Sequence, residues 1–315
     1  MGAFDDAIKS LSKMNIEVDR IGDKKAIPIE VIPTGSFGLN AALGINGYPK
    51  GRLVELYGKE MSGKSFMSLL AIANVQKQGG RAVLFDVEHA FDPTWAAKLG
   101  VDVQNLYVSQ PETAEDTLEA CVTLAQTGEV DLIVVDSTAA MIPKSELEDP
   151  IEKMGIALLA RVMSKGLKKL VNAASGGKTC IIFVNQLRDK PGVMFGETTT
   201  TPGGRALKFY ASIRVEVSVK GKLKVGDDIV GQRVVAKVKK NKLAIPFKST
   251  EFNLLYATGL DIADELVETA IARNIITIDG KTYTFGEQSW VGQEKCRATI
   301  MNDPELQKKL MEALK

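Results

Sequence analysis

A chain of 315 residues, 45% hydrophobic and 25% charged, has apolar material for one large core and a small appendage, and falls outside the disordered, collagen-like and disulfide-scaffold classes. A net charge of +1 means that any nucleic-acid contact must come from local patches, not from overall charge. With one histidine, His89, a histidine-built metal site and a Ser-His-Asp triad are excluded. Three widely separated cysteines point to reduced, buried thiols and a cytoplasmic setting. No apolar run approaches membrane-spanning length and no lipidation motif opens the chain, so no membrane partner is expected.

In chain order, Phe4, Ala7, Ile8, Leu11 and Met14 recur at helical spacing and predict an amphipathic N-terminal helix that docks on its own core or on a neighbouring subunit. Residues 19–28 are charged and end in Ile27-Pro28, which reads as a linker and sets 1–28 apart. Thr34-Gly35-Ser36 looks like a cap for a short helix over 37–43, with a turn from 44 to 49.

Leu53, Val54, Leu56 and Tyr57 then make a strand that runs into Gly58-Lys59-Glu60-Met61-Ser62-Gly63-Lys64-Ser65, and helix-forming Phe66 to Ala71 follows. This is a P-loop: glycines let backbone N–H groups curl round phosphates, Lys64 reaches the terminal ones, and Ser65 offers a hydroxyl to Mg²⁺. A glycine-rich turn can match by chance, but strand before and helix after are the setting the chemistry needs.

Strands expected at 82–85, 106–108, 132–135 and 180–184 alternate with helices near 64–76, 113–126 and 155–174, the signature of an α/β fold with a mostly parallel central sheet flanked by helices. Residues 186–204, with Pro191, four consecutive threonines and Pro202-Gly203-Gly204, predict a long mobile loop without structure. Period-two runs at 213–219, 234–239 and 251–255 predict antiparallel strands extending the sheet. Beyond Gly259 come a helix over 261–272, short strands around 275–285 and a last helix opened by Asn302-Asp303-Pro304. The expected division is 1–28, a core of 29–258 and a small α+β domain of 259–315.

Other residues fit the triphosphate. Leu132 to Val135 is an apolar strand ending in Asp136, placed to hold Mg²⁺ with Ser65. Glu88 closes a neighbouring strand where a carboxylate can activate water, the bland alternative being a solvated acid. His89 is read as packing locally. Asn185-Gln186 ends the next strand where an amide can sense the γ-phosphate. Arg161, Lys165, Lys168 and Lys169 share a helical face, and Arg188, Lys190, Arg205 and Lys208 flank the loop. Basic residues around glycine-rich backbone suit phosphodiester contact, although any one alone reads as a solvated side chain. Lys237, Lys239, Lys240 and Lys242 form a denser run that suits nucleic acid or a neighbour's phosphates.

With these stretches assembled, the chain closely resembles the bacterial RecA recombinases and their viral relatives. The resemblance rests on 58–65, Asp86-Val87-Glu88-His89-Ala90-Phe91-Asp92-Pro93, Val134-Val135-Asp136-Ser137, Phe183-Val184-Asn185-Gln186-Leu187-Arg188, 192–196, 203–212 and Lys240-Asn241-Lys242. It implies a P-loop RecA-like core that binds ATP and Mg²⁺ through Gly58, Glu60, Met61, Ser62, Gly63, Lys64, Ser65, Phe66, Asp136 and Ser137. Asp92, Trp95 and Tyr256 would border the adenine. Glu88 would be the base, Gln186 the γ-phosphate sensor, and Lys240 and Lys242 would reach the ATP of the adjacent subunit. DNA would meet a first loop near 148–156 with Arg161, Ser164 and Lys168, and a second loop, 186–204, with Arg188, Lys190, Gly203, Gly204 and Arg205.

The family often has Thr where Ser65 stands and Tyr where Trp95 stands. Asp189 and Pro191 sit where uncharged residues are commoner, and the chain ends in Leu314-Lys315 without the acidic tail of many members. The resemblance implies a DNA-dependent ATPase that forms head-to-tail helical filaments on single-stranded DNA and exchanges strands with a homologous duplex. A ring-forming motor on the same core, such as a hexameric helicase, is the alternative; a small-molecule kinase would want an acceptor pocket and lid.

Overall fold

The computed structural model describes residues 2–16, 18, 20, 29–148, 150, 157–189 and 199–314. The chain divides into two compact units, Met1–Glu30 and Val31–Lys315. The first holds α1 (Ala3–Lys13), whose start is tied by Gly2 N donating to Asp5 Oδ2 at 3.2 Å. Acids in its first turn and Lys13 in its last complement the helix dipole, and Phe4 is exposed. Of the linker expected over 19–28, only Arg20 lies within the described residues.

The larger unit runs β1 (Val31–Ile32), α2 (Phe37–Leu43), β2 (Tyr48–Pro49), β3 (Leu53–Gly58), α3 (Lys64–Lys77), β4 (Ala82–Asp86), α4 (Pro93–Lys98), β5 (Tyr107–Ser109), α5 (Ala114–Gln126), β6 (Leu132–Asp136), α6 (Lys144–Glu148), α7 (Leu158–Gly177) and β7 (Cys180–Gln186). It continues through β8 (Arg188–Asp189), β9 (Thr199–Thr200), α8 (Ala206–Tyr210), β10 (Ile213–Val225), β11 (Asp228–Asn241), β12 (Ser249–Leu255) and β13 (Gly259–Leu260). Last come α9 (Ile262–Ala272), β14 (Thr277–Asp279), β15 (Thr282–Phe285), β16 (Gln288–Val291), α10 (Gln293–Asn302) and α11 (Pro304–Ala313).

Nine strands form one sheet in the order β13-β12-β11-β10-β3-β7-β6-β4-β5. Strands β3, β7, β6, β4 and β5 are parallel, β10 runs parallel to β3, and β10 to β13 pair antiparallel. The central strands are apolar along most of their length because both faces are covered: Leu132 and Val134 join one core cluster, Ile133 and Val135 the other. Register pairs Gly58 with Gln186 and Asp86 with Asp136, so the carboxyl ends of four strands share one edge. That edge is where open α/β sheets take ligands.

Strands β14, β15 and β16 form a separate antiparallel sheet, packed with α9, α10 and α11 around Val267, Ile276, Trp290, Ile300 and Leu310. It is fastened to the large sheet by Arg233 on β11, which donates to Asp264 of α9 at 3.0 Å. Ser36, the cap of α2, accepts from Leu39 N at 3.0 Å and donates to buried Glu265 of α9.

Three expectations need correction. The stretch 186–204 is not structureless: β8 and β9 pair at its base, Arg188 with Thr200 and Asp189 with Thr199, as β-branched threonines favour extended backbone. Residues 190–198 lie outside the described ones. The last helix is preceded by another, α10, and the short strands include a third, β16. The helix α4, opened by Asp92-Pro93, was also unforeseen.

Candidate active site

Strand β3 delivers Gly58 to the loop, and no other residue fits there: a Cβ would stand 2.0 Å from Val217 O and 2.8 Å from Ser62 Oγ. Gly63 caps α3 with a left-handed φ of +98°. Met61 also has positive φ, and its carbonyl accepts from Gln232 Nε2 of β11 at 2.9 Å. Lys64 is buried, its ammonium folded into the loop and donating to Lys59 O at 2.6 Å. Burial lowers its pKa, opposed by the charges of Asp136, Glu88 and Glu60. A cation held inside a ring of backbone, with helix α3 starting beside it, is a cradle for phosphate oxygens.

Asp136 sits at the end of β6, close to the Ser65 hydroxyl. Burial, reinforced by Glu88 and Asp86, outweighs the Ser65 hydroxyl and Lys64 and lifts its pKa to about 6. A hydroxyl and a carboxylate pointing together beside a phosphate cradle fit Mg²⁺, which keeps waters and phosphate oxygens as its other ligands. The Phe66 side chain is buried in the core and leaves only its backbone for a nucleotide.

Glu88 follows β4 by two residues, and Val87 N and Glu88 N donate to Asp136 O at 2.8 and 3.3 Å. Its Oε1 accepts from Gln186 Nε2 at 2.9 Å and from the hydroxyl of buried Ser137. Gln186 Oε1 accepts in turn from Arg188 Nη2 at 3.4 Å. An exposed carboxylate, a side-chain amide and a guanidinium thus connect the strand ends to the base of the second loop. His89 is exposed with φ +55°.

Beyond this turn, Asp92 caps α4 by accepting from Thr94 N at 2.8 Å and Trp95 N at 3.2 Å, and Trp95 packs on the core. Tyr256 is 44% exposed at the end of β12. A Cβ on Gly259 would stand 2.8 Å from Leu99 and 3.4 Å from Phe66, so β13 presses against α4 and α3 here.

A model of the RecA N-terminal domain matches residues 3–261. The chain belongs to the RecA family. Similar curated proteins include Protein RecA of Fusobacterium nucleatum, 47% identical over 300 residues, covering 94% of this chain and 79% of the relative. Protein RecA of Heliobacterium modesticaldum is 45% identical over 308 residues, covering 96% and 89%. That of Clavibacter michiganensis is 44% identical over 325 residues, covering 100% and 90%. Similarity to RecA proteins over nearly the whole chain does not favour the hexameric helicase.

Arg161, Ser164 and Lys168 are exposed along α7, opposite buried Met163, Leu167 and Leu170. Gly203 and Gly204, both left-handed, press on the start of α7: a Cβ on Gly204 would stand 2.7 Å from Ala160 Cβ. Arg205 is exposed ahead of α8, while Lys190 and residues 149 and 151–156 lie outside the described residues. Asn185 Nδ2 donates to Pro202 O at 3.3 Å and to Glu55 Oε1 at 3.1 Å, and Glu55, fully buried, is paired with Arg214.

Lys240 Nζ donates to Lys208 O at 2.6 Å and Phe209 O at 2.9 Å, and Lys242 Nζ to Phe209 O at 3.3 Å. Within one chain both ammonium groups thus sit on the last carbonyls of α8. Burial, then the charges of Lys242 and Arg214, lowers the Lys240 pKa to about 8 against the pull of Glu55. Sequence reasoning missed Gln232 and Glu55, each of which acts through a partner distant in the chain, a pairing that spacing does not announce.

Proposed function

We propose that this RecA-family recombinase is a DNA-dependent ATPase that polymerises head to tail on single-stranded DNA, with ATP between subunits, and pairs it with a homologous duplex. The observation that carries the reading is Glu88 hydrogen-bonded to Gln186, with Asp136 on the adjoining strand end, Lys64 and Ser65 opening α3 beside it, and Arg188 attached to Gln186. Lys64 and the loop amides hold the β- and γ-phosphates, Ser65 and Asp136 hold Mg²⁺, and Asp92, Trp95 and Tyr256 flank the adenine. Bound Mg²⁺ neutralises charge on the transferred phosphoryl group.

Glu88 takes the proton of the attacking water, and Gln186 reads the γ-phosphate while Arg188 meets DNA. Lys240 and Lys242 leave the α8 carbonyls to stabilise a neighbour's γ-phosphate. Residues 1–28 serve subunit packing, 29–258 form the ATPase core and 259–315 a small accessory domain. No helix among the described residues is long and apolar enough to cross a membrane, which is compatible with work in the cytoplasm.

ATP hydrolysis measured with and without single-stranded DNA tests the reading, together with electron microscopy of the ATP–DNA complex. DNA-stimulated turnover by helical filaments is the expected result. Turnover indifferent to DNA would overturn it.

A further inference from the structure

We propose that Asp86, a residue with no nucleotide contact assigned above, is the positioning residue that holds the base-bearing turn and the adenine-side helix in one frame. The proposal rests on Glu88 acting as the base. Asp86 ends β4 and is 4% exposed. Its carboxylate gathers three donors: Ala90 N on Oδ1 at 3.0 Å, and Phe91 N at 3.2 Å and Gln110 Nε2 at 2.9 Å on Oδ2.

The first two bonds close the chain on itself over four and five residues, and Glu88 lies inside the loop so closed. The other wall of the turn is fastened to β6 by Val87 N and Glu88 N on Asp136 O. Held on both walls, the turn fixes where the Glu88 carboxylate meets Ser137 and Gln186. The same clamp sets the adenine side, because Asp92, the cap of α4, is the next residue after Phe91. Shifting the turn would move base and helix together.

The chemistry of the clamp asks for a carboxylate. Its three partners are all N–H donors, so an acceptor without hydrogens of its own satisfies them, whereas an amide would aim an N–H₂ group at one of them. His89 shows why a clamp is needed: its φ of +55° is costly for a residue other than glycine and persists only where neighbours hold it. Gln110, exposed after β5, braces the carboxylate from the next strand outward.

The experiment compares Asp86→Asn, Gln110→Ala and Glu88→Gln with the parent full-length chain. It reads directly measured ATP affinity, steady-state hydrolysis with single-stranded DNA, and hydrogen exchange of the backbone amides over 87–95. Asp86→Asn should weaken ATP affinity, because the adenine-side helix shifts with the turn, and should lower kcat roughly 10- to 100-fold, the cost of a base displaced by about 1 Å. Exchange at Ala90 and Phe91 should quicken.

Gln110→Ala, at an exposed position, should give a smaller change of the same kind, and it decides the matter if Asp86→Asn does not fold. Parental kcat in the folded variant overturns the proposal. So does a fall in kcat with unchanged exchange at Ala90 and Phe91, because Asp86 would then act through its charge and not through the turn. Glu88→Gln separates the two layers: hydrolysis at the parental rate by that variant overturns the assignment of the base itself, whatever the exchange shows.

Discussion

Glu88 and Gln186, 98 residues apart in the chain, meet at 2.9 Å, amide nitrogen on carboxylate oxygen. Ser137 donates to the same oxygen, so two donors fix where the carboxylate of Glu88 points. Glu88→Gln keeps the shape but cannot accept a proton. Hydrolysis should fall roughly 10²–10⁴-fold with ATP still bound and filaments intact. Parental turnover in a coupled ATPase assay would place the base elsewhere.

The local parts of this site were readable from sequence because each is built from neighbours in the chain. Gly58, Gly63, Lys64 and Ser65 work through one loop, and Asp136 through one apolar strand whose end is marked by its own carboxylate. The parallel strands were readable for the same reason, being largely apolar runs, and β10 to β12 from their period-two alternation. What stayed hidden depends on register. Nothing local announces that Gln232 will hold Met61 O, that Glu55 will be buried beneath Asn185, or that Lys240 will fold onto α8. The helix α10 was hidden too, because its polar sequence lacks a strong apolar period.

Salt should reveal the DNA path. Arg161 and Arg188 are exposed on elements that begin and end at the two loops, and each phosphate contact releases counterions. Arg161→Ala with Arg188→Ala should flatten the slope of log affinity against log salt by about 0.7 per lost contact on single strands. All sequences should weaken alike. A slope unchanged in fluorescence titrations would move the DNA path off these residues.

Thr138 offers a stability test beside the site. It is fully buried, and among the described residues its hydroxyl has no hydrogen-bond partner. Thr138→Val keeps the shape and removes the unsatisfied group, so it should stabilise the fold by about 1 kcal/mol and raise Tm by ~2–4 °C. A lower Tm by calorimetry would show that the hydroxyl is satisfied in solution.

Glu265 makes stability depend on pH. Burial, against the bonds from Ser36 and the Gly38 and Phe37 amides, pushes its pKa from 4.5 up to about 7. The unfolded chain therefore releases this proton before the folded one does. Its contribution is fully present below pH 4.5 and is lost as pH rises to 7, by about 3 kcal/mol in all. Glu265→Gln cannot ionise, and its denaturation midpoint should be flatter over that window. Identical pH profiles would mean that the carboxyl is already charged in the native state.

Lys240 and Lys242 carry the last test. They lie at the C-terminal carbonyls of α8, the helix that follows the second loop, and to serve a neighbour's ATP they must leave those carbonyls. Replacing both by Ala should leave nucleotide affinity nearly intact, since Lys64, Ser65 and Asp136 remain, while DNA-stimulated hydrolysis is lost. The charge itself should matter: Lys240→Arg, which keeps it, should retain more hydrolysis than Lys240→Ala. Mixing then separates neighbour from self. A Lys64→Ala subunit keeps both lysines and the double Lys→Ala subunit keeps a working P-loop, so co-assembled filaments should regain hydrolysis at junctions where the intact halves meet. No recovery at any ratio, with co-assembly shown by cross-linking, would mean that these lysines serve their own chain, holding α8 in place and nothing across the interface.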